Sequence, residues 1–199
     1  MPTLFASKLR QATVLVAAFL SSTAMAQILT VNISQPGAVV FTATGASAAN
    51  NATSDDQLIA TLKGFFTASA AMGQFFANTG SSTLTPAGSS NAVNQGHPSY
   101  QVSNFPNVLD FELLRTGATT TPNYTTSSAA FSGSVTFDLT GYSLPGAGAT
   151  GNVYAADYTT VIGTYSVTSA IPEPSTYALL SGLAALGFAG YRSRRRQTI

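Results

Sequence analysis

At 199 residues the chain is 45% hydrophobic and only 8% charged, well below the ~25% charged share of an ordinary globular protein. Between residues 27 and 171 two bases, Lys63 and Arg115, stand against six acids, Asp55, Asp56, Asp110, Glu112, Asp138 and Asp157, a net charge of −4. That balance points away from nucleic acid as a partner. The absence of cysteine excludes disulfides, thiolate zinc ligands and cysteine nucleophiles.

The remaining bases sit at the two ends. Lys8 and Arg10 precede the apolar run Ala12 to Leu20, and Ala24-Met25-Ala26 forms an A-x-A site before Gln27. Residues 1–26 therefore read as a secretory signal peptide, because the apolar run is shorter than the ~20 residues a bilayer span needs. The Sec machinery and signal peptidase are the expected partners, and cleavage leaves Gln27 as the first residue of a passenger domain over 27–170.

In the passenger, Leu29, Val31 and Ile33 alternate with polar neighbours, as do Val39, Phe41 and Ala43 after the turn-type Gln35-Pro36-Gly37. Ser54-Asp55-Asp56-Gln57 has the form of a capping box, and Leu58, Leu62, Phe65, Phe66, Met72 and Phe76 keep roughly helical spacing. Gly64 and Gly73 weaken a helix there, so residues 55–76 read as either helix or strands, with strands slightly favoured. Ala77 to His97 is polar and expected to be an exposed, mobile loop. Leu109, Phe111 and Leu113 face away from Asp110 and Glu112, which places the two acids on a solvated strand face about 7 Å apart.

Thr116 to Ser128 and Leu144 to Asn152 are turn-type sequence. The clearest strand is Ala130 to Thr140, where Phe131, Gly133, Val135, Phe137 and Leu139 share one face. Val161, Gly163, Tyr165 and Val167 repeat the pattern. Several strands with one wet face and no long helical pattern predict an all-β, antiparallel, jelly-roll-like β-sandwich.

No constellation in this passenger reads as catalytic, and neither a metal nor a cofactor is expected. His97, the sole histidine, lies in the turn-like Gln95-Gly96-His97-Pro98 and is expected to be a loop residue. Zinc needs three or four Cys, His or acidic ligands, and no nucleophile-elbow motif accompanies the serines. No contiguous D-x-D-x-D-G loop supports calcium. Tyr124 and Tyr142, in expected loops, are weak candidates for stacking on a glycan.

The C-terminal segment 171–199 opens with Pro172-Glu173-Pro174. Tyr177 to Tyr191 then runs without a charge. As a helix it would extend about 22 Å, enough to cross a membrane once Ser175 and Thr176 are included and the following arginines snorkel. Arg192, Arg194, Arg195 and Arg196 would hold the far end in the cytoplasm. A Pro-Glu-Pro signature, an apolar segment and a terminal arginine cluster, in that order, closely resemble the PEP-CTERM sorting signal of Gram-negative bacteria.

The resemblance implies that an exosortase reads Pro172, Glu173 and Pro174 and cleaves near them. Tyr177 to Tyr191 would serve as a transient transmembrane anchor, and the passenger would pass to the cell surface or medium. Such tails are associated with exopolysaccharide-producing bacteria. That association makes a non-enzymatic, surface-displayed matrix or biofilm protein the first expectation, while Tyr124 and Tyr142 make a carbohydrate-binding adhesin the second and the Asp110–Glu112 pair a glycan-acting hydrolase the third.

Overall fold

The computed structural model describes residues 25–67, 74–103, 108–117 and 120–169. Most of the signal peptide, the Pro-Glu-Pro motif, the 177–191 segment and the arginine cluster lie outside these residues. Among the described residues there are thirteen strands. These are β1 (Gln27–Asn32), β2 (Val39–Ala43), β3 (Ala52–Thr53), β4 (Leu58–Phe66), β5 (Phe76–Ala77), β6 (Thr85–Pro86) and β7 (Gln95–Ser99). Then come β8 (Leu109–Leu114), β9 (Asn123–Tyr124), β10 (Phe131–Ser132), β11 (Ser134–Phe137), β12 (Thr150–Tyr154) and β13 (Val161–Thr168).

The all-β class agrees with the sequence; the sandwich does not. Nine strands form one sheet in the order β11-β2-β1-β13-β12-β4-β8-β7-β5. It is a mixed sheet, because β1 runs parallel to β13 while its other neighbour, β2, is antiparallel. The sheet curls until its edges approach. Asn78, just after β5, bridges Phe137 of β11, and Thr79 N–H donates to the Thr136 carbonyl at 2.8 Å. The result is a nearly closed barrel, an arrangement that leaves little unpaired edge. Two short ribbons, β3–β9 and β6–β10, lie outside this sheet. Strand alternation is the same in a sandwich and a barrel, which is why the sequence pattern does not separate them.

Residues 58–66 are strand, and Ser54 does not cap a helix. Its hydroxyl donates to the Ile59 carbonyl at 2.7 Å and accepts from Ala156 N–H at 3.1 Å. The expected exposed loop from Ala77 to His97 also differs: it supplies β6 and most of β7 and buries Leu84 and Val93.

Inside the barrel the aromatic rings converge on Phe111. Its centroid lies 5.2 Å from Phe41, 5.5 Å from Phe65, 5.6 Å from Phe66, 6.2 Å from Phe76 and 5.4 Å from Phe137. The interplanar angles, from 22° with Phe41 to 88° with Phe66, are the offset and edge-on geometries that ring quadrupoles favour. Gly96 on β7 makes room for this hub, since a Cβ there would fall 2.2 Å from Phe111 Cζ. Phe111→Ala should therefore cost about 3–5 kcal/mol, and Gly96→Ala about 1–3 kcal/mol through overpacking. Both are read as lowered urea midpoints.

Candidate functional site

Strand β8, Leu-Asp-Phe-Glu-Leu-Leu, is buried on both faces. Asp110 is fully buried and Glu112 is 7% exposed. The expected solvated face is therefore a covered one, and each carboxylate has to find donors in the protein. Asp110 Oδ1 accepts from Gly64 N–H at 2.9 Å and from the Ser103 hydroxyl. Its Oδ2 accepts from Val102 N–H at 2.7 Å and Ser103 N–H at 2.9 Å. Three of these four donors fix the loop after β7 onto β8. The fourth comes from Gly64 of β4, whose φ of +64° places a bulge there that glycine adopts without strain.

Glu112 is held by side chains. Its Oε2 contacts His97 Nδ1 at 3.2 Å and its Oε1 accepts from the Tyr158 hydroxyl at 3.0 Å. His97 is thus a strand residue opposite Glu112 in the β7–β8 register, and not the loop residue its flanking Gly and Pro suggest. The exposed ring of Phe75 stacks on it at 4.7 Å. Tyr158 sits in the left-handed region, φ 56°, within the turn between β12 and β13. Burial first, then the negative charge of Glu112, hold its phenol protonated well above the usual range.

A third polar node escaped the sequence reading. Arg115 is 1% exposed. Its Nε donates to the Asp56 carbonyl at 2.8 Å, its Nη1 to the Ser89 hydroxyl, and its Nη2 to the Thr120 carbonyl. One guanidinium thus ties three separate segments together, using a planar fork of donors that no other side chain offers. The only hint in the sequence is that so few bases occur in the body.

Of the two tyrosines singled out for glycan stacking, Tyr124 does not present its ring to solvent. Tyr124 is fully buried, with its hydroxyl donating to the Ile59 carbonyl at 3.0 Å. Tyr142 is half-buried and packs on Phe66 at 5.1 Å and Phe76 at 4.9 Å. Among the described residues no group of three or more His, Cys, Asp or Glu side chains comes together to hold a metal ion. Asp110 and Glu112 do share one neighbourhood, but as anchors for other segments.

A concave site lies beside Asp110. Strands β4 and β12 are paired only at Leu62–Val153 and Thr61–Tyr154. Beyond them the ladder splits, because β4 turns its backbone groups to side chains. The Lys63 carbonyl accepts from the Tyr165 hydroxyl at 3.0 Å, and Gly64 N–H serves Asp110. The opening is a cavity of about 520 Å³ lined by Lys63, Gly64, Ser103, Thr150, Gly151 and Asn152, among others.

Gln27 of the expected cleavage site is the first residue of β1, and the Ala26 carbonyl accepts from Thr164 N–H at 3.0 Å. Ala24 and the tail residues Pro172, Glu173, Pro174, Arg192, Arg194, Arg195 and Arg196 lie outside the described residues.

Beyond the barrel the chain matches one family model. Residues 170–196 are a PEP-CTERM protein-sorting motif. This agrees with the resemblance carried by Pro172-Glu173-Pro174, the apolar segment and the arginines. A PEP-CTERM tail marks a protein that is exported and processed by an exosortase for the cell surface or exterior. No curated protein and no solved structure matches the chain.

The turn that carries Tyr158 makes its own pH signature. Partial burial would raise the Asp157 carboxyl, but donors from Thr160 and Thr159 outweigh it and lower the group from 3.8 to about 2. These include Thr160 N–H at 2.8 Å, the Thr160 hydroxyl at 2.5 Å and Thr159 N–H at 3.0 Å. A depressed carboxylate stabilises the fold fully above its unfolded value and loses that contribution as pH falls through its folded one. Denaturant midpoints should therefore drop between about pH 4 and pH 2, and Asp157→Asn should flatten that part of the profile.

Proposed function

We propose that this is a non-enzymatic structural protein of the bacterial surface or its matrix. In this reading the barrel is exported by its N-terminal signal, held briefly by the 177–191 segment and then processed by an exosortase. The observation that carries the reading is the sorting motif at 170–196, which follows the last described strand, ending at Thr168, with only Ser169 between them. A barrel placed directly against its address tag is cargo to be delivered. The non-catalytic part is supported by the chemistry of β8. A glycosidase needs two carboxyl groups facing one cleft, one of them able to release a proton to substrate. Asp110 and Glu112 instead spend their oxygens on backbone amides, a serine, a histidine and a tyrosine of the protein itself. Association with an exopolysaccharide is the accompanying proposal for how the displayed barrel is retained.

Intact mass of the protein recovered from the envelope and medium of a bacterium that carries an exosortase tests the reading. The expected species begins at Gln27 and ends near Pro174, and deletion of the exosortase should leave Arg196 attached. A product that keeps the arginines in the presence of an active exosortase would make the tail a simple anchor and remove the main support for surface delivery. Added mass on the processed species would identify a polysaccharide or glycan attachment.

A further inference from the structure

We propose that the split between β4 and β12 is a binding site for a small polyhydroxylated carboxylate, a sugar acid such as a uronate. The proposal is independent of how the tail is processed. It starts from a pairing defect. Continuing the antiparallel register past Leu62–Val153 would place Lys63 opposite Asn152 and Gly64 opposite Gly151, yet neither pair forms. The Lys63 carbonyl is taken by Tyr165 and the Gly64 amide by Asp110. The edge of β12 from Thr150 to Asn152 is thereby left without a partner strand on this side, and backbone polar groups in a concavity want a partner.

The side chains around the opening are also uncommitted. Lys63 is exposed, and the ammonium of Lys63, the hydroxyl of Thr150 and the amide of Asn152 have no hydrogen-bond or ion-pair partner among the described residues. By contrast, the polar groups just behind them are satisfied, since Ser103 and Asp110 bond each other and the backbone. Lys63, Thr150 and Asn152 thus present three uncommitted polar groups on one rim, over a second layer whose own polar groups are satisfied. Gly151 keeps the floor open, because a Cβ there would meet the Tyr165 ring at 2.6 Å.

Size and charge choose the ligand class. A cavity of about 520 Å³ falls in the range of small-molecule sites, ~300–1,000 Å³. Of the two bases in the barrel, Arg115 is buried in its own hydrogen bonds, so Lys63 is the base that reaches solvent among the described residues. A single cation beside an amide and a hydroxyl fits a ligand with one carboxylate and several hydroxyls. The flat acceptor and donor array of a nucleobase would find no exposed aromatic surface here, as Tyr165 is 2% exposed.

Titration of the isotope-labelled full chain in detergent micelles, followed by amide shifts, tests this directly. Glucuronate should shift the Lys63, Gly151 and Asn152 amides saturably, with glucose about tenfold weaker because it lacks the charge-assisted contact. Lys63→Met should lose about tenfold in affinity and Lys63→Arg should keep most of it. Tighter binding of an oligoglucuronate than of the monomer would assign the site to a residue within a polysaccharide, and equal binding to a free sugar acid. No saturable shift, equal binding of glucose and glucuronate, or an unchanged affinity in a folded Lys63→Met chain would overturn the proposal.

Discussion

Two carboxylates in a strand covered on both faces constrain more of this structure than any other feature. An ionised carboxyl moved from water into an apolar interior without donors would cost many kcal/mol, so Asp110 and Glu112 must recruit them. Asp110 draws the loop after β7 and the bulged Gly64 toward β8, and Glu112 draws His97 and the turn that bears Tyr158. Since Phe111 lies between them with its ring on the other face, the same strand organises the aromatic interior and the polar exterior. Polar networks of this sort specify one arrangement, because a partly satisfied version is worse than none.

The diversion of backbone groups follows from that constraint. Gly64 gives its amide to Asp110 on β8, and the carbonyl on the opposite side of the same trans peptide, that of Lys63, accepts from Tyr165 where the β4–β12 ladder is open. Tyr165 completes the diversion by donating to Lys63, and its burial pushes its phenol up to about 12, so it stays a donor across the physiological range.

Much of the strand content is legible because period-two alternation reports a covered face where it is unbroken, as at Leu29–Val31 and Val39–Phe41. The single strand expected over Ala130–Thr140 is instead split at the exposed Gly133, φ +78°, into β10 and β11 of different sheets. Alternation is silent on closure, since a barrel and a sandwich present the same pattern, and silent on the parallel partner of β1. The sequence reading failed where both faces of a strand are covered. Asp110 and Glu112 look solvated and Tyr124 looks like a loop residue because polar or turn-like sequence normally meets water, and only the tertiary contacts of distant segments reverse that. His97 between Gly and Pro looked like a turn for the same local reason. The tail was legible because its meaning lies in linear order, Pro-Glu-Pro, apolar run, arginines, which needs no tertiary context.

The parallel pairing of β1 with β13 also sets a clock. Exported with its N-terminus first, the chain delivers β1 at the outset, but Val31 waits for Thr168, 137 residues later, to complete its edge. Contacts that distant form late and slowly, because the loop between them must be ordered first. The barrel cannot seal until its last strand has crossed the membrane, and the sorting segment follows within two residues of that strand. The last strand and the sorting motif are thus delivered together, so a chain that stops short of Thr168 has neither a finished barrel nor its tag.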